Sequence, residues 1–203
     1  MATASRTRIQ QKNRATILDA ALEVFSAHGF RGATLDQIAV TAGLSKPNLL
    51  YYVASKEAIH AALLTSLLDT WLDPLRALDA GGDPVEEITA YVARKLEMSR
   101  MYPRESRLFA NEIVQGAPRI MEEITGPLKS LVDEKAAVIR GWSNSGKIAD
   151  LDPHHLIFSI WATTQHYADF DVQVRGILRP DADAHFKDAD AFLAELFQRA
   201  LAP

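Results

Sequence analysis

The sequence predicts an all-α protein, a three-helix helix-turn-helix head joined to a larger helical body, about nine helices in all. Three observations carry this. Apolar residues recur at three- and four-residue spacing along nearly every segment. No stretch alternates as a half-buried strand would, and no internal repeat is present. The breaks fall at Gly, Pro and N-cap residues, the positions where helices start and stop.

The first helix spans about Arg8 to His28, with Ile17, Leu18, Ala21, Leu22, Val24 and Phe25 forming its apolar face. Gly29 follows as an expected left-handed C′ residue. Thr34-Leu35-Asp36-Gln37 matches a capping box, so Thr34 should cap a short second helix that ends near Ala42, before Gly43. Ser45 is the next N-cap, with Pro47 inside the first turn. Helices this short need a partner. Phe25, Leu35, Ile38, Ala39, Leu44 and Leu50 are the expected inward faces of the head, and Leu49 with Leu50 the apolar anchor of its third helix.

Beyond Ser55 a long helix is expected from about Lys56 to Leu78, kinked or shortened at Pro74. Further helices run from Pro84 to Tyr102, from Pro103 to near Gly116, and from Ile120 to Ser145 with Pro127 inside. The last two run from Pro153 to about Phe170 and from Asp188 to Leu201, with residues 176–187 read as a loop. The division is residues 1–55 for the head and 56–203 for the body.

Composition narrows the chemistry. The chain has 203 residues and no cysteine, which removes disulfides, thiolate catalysis and thiolate metal sites. It has no transmembrane-length apolar run and no secretory signal at its start, so a soluble cytoplasmic protein without a membrane partner is expected. The net charge of −4 is unevenly spread. Residues 1–56 hold seven Lys/Arg against three acids, +4, and the remainder 15 against 23, −8. A basic head on an acidic body suggests a local phosphate-binding surface.

The segment TLDQIAVTAGLSKPNLLYYVASK, residues 34–56, carries that surface. A helix-turn-helix reader presents polar groups from a short second helix to the major groove while its other face stays apolar. Lys46, Asn48, Tyr51 and Tyr52 form the expected outward face; Lys and Tyr suit phosphate oxygens, and Asn can pair with adenine. Thr34 and Ser45 stand at helix starts, where hydroxyls and free N–H groups meet phosphates. Arg6, Arg8, Lys12 and Arg14 could act as a basic arm or as ordinary solubilising charge.

From ATILDAALEVFSAHGFRGATL through AGLSKPNLLYY to SKEAI, this segment resembles the TetR family of bacterial repressors. The resemblance implies operator contacts from Lys46, Asn48, Tyr51, Tyr52 and Lys56. It departs at Val53, where an aromatic residue commonly follows the tyrosines. The body segments YVARKLEMSRMYPRESRLFANEIVQGAP and LDPHHLIFSIWATTQHYADF resemble a pyrimidine-responsive branch of the family. That implies a repressor released by uracil or thymine.

A pyrimidine base needs an apolar slot and a few amide-type partners. Trp161 and Gln165 lie four apart on one helix face, Lys95 and Ser99 likewise, and Trp71 sits on an apolar face. These five are the candidate effector residues; the alternative for each tryptophan is a place in the bundle core, and for Lys95 a solvated surface. The alternative effector is another small molecule, such as a lipophilic drug or metabolite. A helix-turn-helix reads paired half-sites as a dimer, so a homodimer on a near-palindromic operator is expected. The stripes Leu156, Phe158, Ile160 and Phe192, Leu193, Leu196, Phe197 face either a second copy or the monomer's own core.

No catalytic or metal site is expected, and no cofactor. His154 and His155 are adjacent on a helix and point about 100° apart, a poor arrangement for one ion. His166 with Asp169 lacks a nucleophile, and no phosphate-binding Gly loop, GxSxG or HExxH occurs in the chain.

Overall fold

The computed structural model describes residues 2–203, with side chains from Gln10 onward. Among the described residues all regular structure is helical: α1 (Ala2–Gly32), α2 (Leu35–Thr41), α3 (Lys46–Tyr52), α4 (Lys56–Arg76), α5 (Pro84–Met101), α6 (Pro103–Val114), α7 (Met121–Glu123), α8 (Lys129–Asn144), α9 (Pro153–Asp169), α10 (Asp171–Leu178) and α11 (Ala184–Leu201). A π-helical turn, Ile124–Leu128, joins α7 to α8. It contains Pro127, which has no N–H to give the regular ladder, so the expected rod continues through a local widening.

The chain forms two compact units. The first comprises Met1–Leu68 and Arg107–Ile120; the second comprises Asp69–Ser106 and Met121–Pro203. The helices α4 and α6 each run from one unit into the other.

In the first unit α1 packs on α2 and α3. Ile17, Ala21, Phe25, Ile38 and Leu49 are fully buried. Leu50, expected to face inward, is 44% exposed. Neighbouring residues on a helix diverge by about 100°, so a two-turn helix can turn only one row inward. That row is Leu49 and, four residues on, the buried Val53. Gly29 has the positive φ expected of it (65°), but ψ is 174° rather than left-handed helical. The chain thus breaks sharply before the Phe30–Gly32 turn.

In the second unit α5 packs on α9 and α11, and α8 packs on α9. Leu75, Ile88, Val92, Ile139, Trp142, Ile157, Ile160, Leu193 and Leu201 fill the core between them. Trp142 donates from its indole to the Ala80 carbonyl at 3.2 Å, which ties the loop before α5 to the core. The helix α4 passes Pro74 and ends at Arg76, short of Leu78. Arg76 Nη1 donates back to the Asp69 carbonyl at 2.9 Å, a stretch of backbone beside the one Pro74 leaves without an amide donor.

Two expectations near the C-terminus are corrected. Residues 176–178 belong to a further helix, α10 (Asp171–Leu178), rather than to the expected 176–187 loop, and α11 begins at Ala184, before Asp188. No side-chain cap marks the start of either helix. Arg175 supplies the missing signal across the turn, bonding Asp171, the Ala182 carbonyl and Asp183. Arg179 closes α10 in the left-handed region, at φ 49°.

Candidate functional site

The recognition segment is built by its caps. Thr34 Oγ1 accepts from the Gln37 amide while Gln37 Oε1 accepts from the Thr34 amide at 2.8 Å, completing the expected capping box. Ser45 Oγ accepts from the Asn48 amide, with Pro47 in the first turn of α3. With Leu49 buried beneath, the outer face of α3 carries Lys46, Asn48 and Tyr51, all exposed. Tyr51 is 69% exposed and packs edge-on against Tyr52 at 5.1 Å.

Tyr52 is half-buried, its hydroxyl accepting from Asn13 Nδ2 at 2.8 Å. A cleft of about 450 Å³ opens beside the two tyrosines, lined also by Gln10, Gln11 and Arg14. Lys46 pairs with Asp36 at 2.9 Å on the surface, an exposed pair that a phosphate can replace at small cost. Lys56 differs from the others. Its ammonium donates to the Phe30 and Ala33 carbonyls, both at 2.9 Å, so it is engaged inside the head. Of the basic arm, Lys12 and Arg14 are exposed, whereas Arg6 and Arg8 lie outside the described side chains.

The five body residues all belong to the second unit. Lys95 and Ser99 are each about 1% exposed, which rules out the solvated reading of Lys95. The Lys95 ammonium sits 4.7 Å from the Trp71 ring centroid. Burial lowers its pKa from 10.5 to about 7, with Asp169 opposing that shift. Trp71 is buried with its indole N–H unpartnered. Ser99 donates to the Lys95 carbonyl. Trp161 donates to Tyr91 Oη at 2.6 Å, and Gln165 lies one turn further along α9, half-buried.

Three residues complete this polar cluster that the sequence reading did not select: Tyr91, Ser106 and Asp169. Ser106 is fully buried and donates to Asp169 Oδ1 at 2.5 Å. Burial pushes the Tyr91 phenol well above its ordinary range. A signal for two of them was present. Tyr91, Lys95 and Ser99 recur every four residues on α5, and Trp161, Gln165 and Asp169 do so on α9. Two such polar rows on helices packed together make one polar seam, buried along α5 and half-buried along α9. Ser106 had no such periodic partner.

Among the described residues no group of three or more His, Cys, Asp or Glu could hold a metal ion. No helix there is long and apolar enough to cross a membrane. His166 stacks on Phe170, and His154 faces Asp133 at 3.1 Å on the surface.

Comparison with known proteins matches both parts of the chain. Residues 17–63 match the family profile described as bacterial regulatory proteins, tetR family, and residues 64–203 match YcdC-like protein, C-terminal region. The chain belongs to the TetR family. It is 54% identical over 175 residues to the HTH-type transcriptional regulator RutR of Escherichia coli O157:H7, and 53% to RutR of strain K12. Each match covers 86% of this chain and 82% of the relative.

Solved structures share the fold. A TetR-like regulator from Rhodococcus sp. RHA1 superposes with a TM-score of 0.68 at 22% identity, covering 92% of this chain and 94% of that one. AibR, crystallised with isovaleryl coenzyme A and operator DNA, gives 0.68 at 16% identity, covering 91% and 97%. This protein is therefore a transcriptional regulator of the RutR type, not an enzyme.

Proposed function

We propose that this regulator represses genes of pyrimidine utilisation, binding a near-palindromic operator as a homodimer and leaving it when uracil or thymine binds. Residues 1–55 serve as the DNA-binding domain and residues 56–203 as the effector-binding and dimerisation domain, in the cytoplasm. Thr34, Ser45, Lys46, Asn48, Tyr51, Tyr52 and Lys56 form the operator-binding segment. Exposed Lys46, Asn48 and Tyr51 meet the DNA, while Lys56 contributes by fixing the Phe30–Ala33 corner.

The observation that carries the effector reading is the polar seam of buried Trp71 and Lys95 with half-buried Asp169. A nucleobase presents carbonyl acceptors and N–H donors on a flat ring. The free indole N–H of Trp71 can meet a carbonyl, the Gln165 amide can pair with either kind of group, and Asp169 can accept. Trp161 is held by Tyr91, an arrangement that suits a wall for a planar ring. The 53–54% identity with RutR extends through the body and supports the same assignment.

Transmission follows from α4, which begins at Lys56 and carries Trp71. A ligand against Trp71 acts on the helix whose first residue holds the head's corner, and linkage requires operator and effector to weaken each other by one common factor. The test is calorimetric titration of uracil and thymine into the wild type and Gln165→Ala. It is paired with mobility shift on duplexes that the wild type selects from a random pool. Expected are saturable heat with the wild type, weaker heat with the variant, and release of the selected duplex by the base. Absence of heat with both bases removes the pyrimidine reading and leaves a TetR regulator with another effector.

A further inference from the structure

The first unit contains a buried cluster that the recognition segment does not account for. Phe30, just past the break at Gly29, is ringed by groups from elsewhere in the chain. The Arg119 guanidinium lies 3.5 Å from its ring centroid and the Lys56 ammonium 4.3 Å. His60 of α4 meets Phe30 edge-on at 5.0 Å and Phe25 at 4.8 Å. Glu112 of α6, about 1% exposed, fixes Arg119 by accepting from its amide at 2.8 Å and from Nη1 at 2.9 Å.

Such a guanidinium, partly desolvated and pinned by a buried carboxylate, is well placed to hold an aromatic face. What it holds has a consequence for α2. Phe30 and Ala33 also give their carbonyls to Lys56, and Ala33 directly precedes Thr34, the N-cap of α2. The corner that sets how α2 leaves α1 is thus gripped from two sides.

We infer that Arg119, with Glu112 beneath it, is a positioning residue for DNA recognition: the pair holds Phe30 and so fixes the α1–α2 corner from which the recognition helix is presented. The clamp is not part of the helix-turn-helix. It is borne by Arg107–Ile120, whose two ends continue in sequence into the second unit. His60 completes the packing as a neutral ring, since burial takes its pKa down to about 4 against the opposing pull of Glu112. Its Nδ1 stays unpartnered, 4.0 Å from Glu112. This inference depends on the DNA-binding head and not on the identity of the effector.

The test compares Arg119→Met, which keeps the stem and the amide bond to Glu112, with Arg119→Lys, which keeps a cation over the ring. Affinity for duplexes selected by the wild type is measured well below the melting temperature, with amide exchange at residues 33–37. Arg119→Met should bind about tenfold more weakly, with faster exchange at those amides and little change in affinity for unselected DNA. Arg119→Lys should stay within about threefold of the wild type. Wild-type affinity in Arg119→Met, or equal loss in both variants, overturns the inference. Should Arg119→Met not fold, Phe30→Leu removes the gripped ring instead. It should show the same loss, and unchanged binding by that variant is equally decisive against the clamp. A wild type that selects no duplex at all would instead defeat the DNA-binding assignment.

Discussion

The head and the body place their polar groups on opposite sides of the solvent boundary. In the head, Lys46, Asn48 and Tyr51 stand exposed on α3 while Leu49 on the same helix is fully buried. In the body, Lys95, Ser99 and Ser106 are withdrawn from water almost completely. The difference matches the partners proposed for the two regions. A polyanion is read by exposed cations whose hydration is never fully stripped, so the energy comes from counterion release. A small uncharged ring offers little charge to attract, and polar groups discriminate it only where water cannot compete.

Each region also buries a base whose pKa burial lowers. His60 is neutral at neutral pH and packs as a ring, whereas Lys95, at about 7, sits near the balance between its two forms.

The sharpest break in that contrast comes from α3. Leu49→Ala should cost about 2–5 kcal/mol in the stability of the first unit, because it empties a fully enclosed position. Leu50→Ala should cost about 0.5 kcal/mol or less. Denaturant titration of both variants measures this, and equal costs would mean that α3 presents a different face to its core.

An effect of similar ceiling, spread over pH, separates the body from the head. In the unfolded chain Lys95 keeps its proton up to the ordinary 10.5, whereas folded it releases it near 7. Between those values the unfolded state binds more protons, so stability rises with pH by at most about 1.4 kcal/mol per unit. Below pH 7 both states are protonated and the full burial cost remains. Lys95→Met lacks this slope, so the stabilities of wild type and variant should converge as pH rises from 7 towards 10. Parallel curves would mean that Lys95 titrates as if exposed.

The smallest effect is in DNA binding without any cost in folding. Lys46→Ala should weaken operator binding by about 1 kcal/mol and lower the salt slope by about one charge, with stability changed by less than about 0.5 kcal/mol. Tyr51→Ala should behave similarly in affinity but leave the salt slope unchanged. Filter binding across a salt series distinguishes the two. A fall in stability with either variant would place these side chains in the core and end the contrast with the body.

How much of this could be read from the chain alone differs by region for physical reasons. The helix-turn-helix is legible because its determinants are local. The Thr34–Gln37 box, Gly43, Ser45 and Pro47 act within one or two turns, so their spacing fixes the element. Even there, the choice between Leu49 and Leu50 needed the partner helix. In the body, Arg175 closes α10 on residues up to eight positions away, so no local cap marks the helix.

The sequence by itself determined an all-helical chain, a basic head, the caps of the recognition segment and the family to which it belongs. The tertiary structure decided that Lys56 grips the Phe30 corner, that Lys95 is buried beside Trp71 and near Asp169, and that Ser106 joins them. It also brought Arg119 onto Phe30 across 89 positions of sequence. Caps and helical periodicity are interactions over three or four residues, which spacing records. Desolvation and cation–ring contacts depend on which helices pack together, and spacing along one helix holds no record of that.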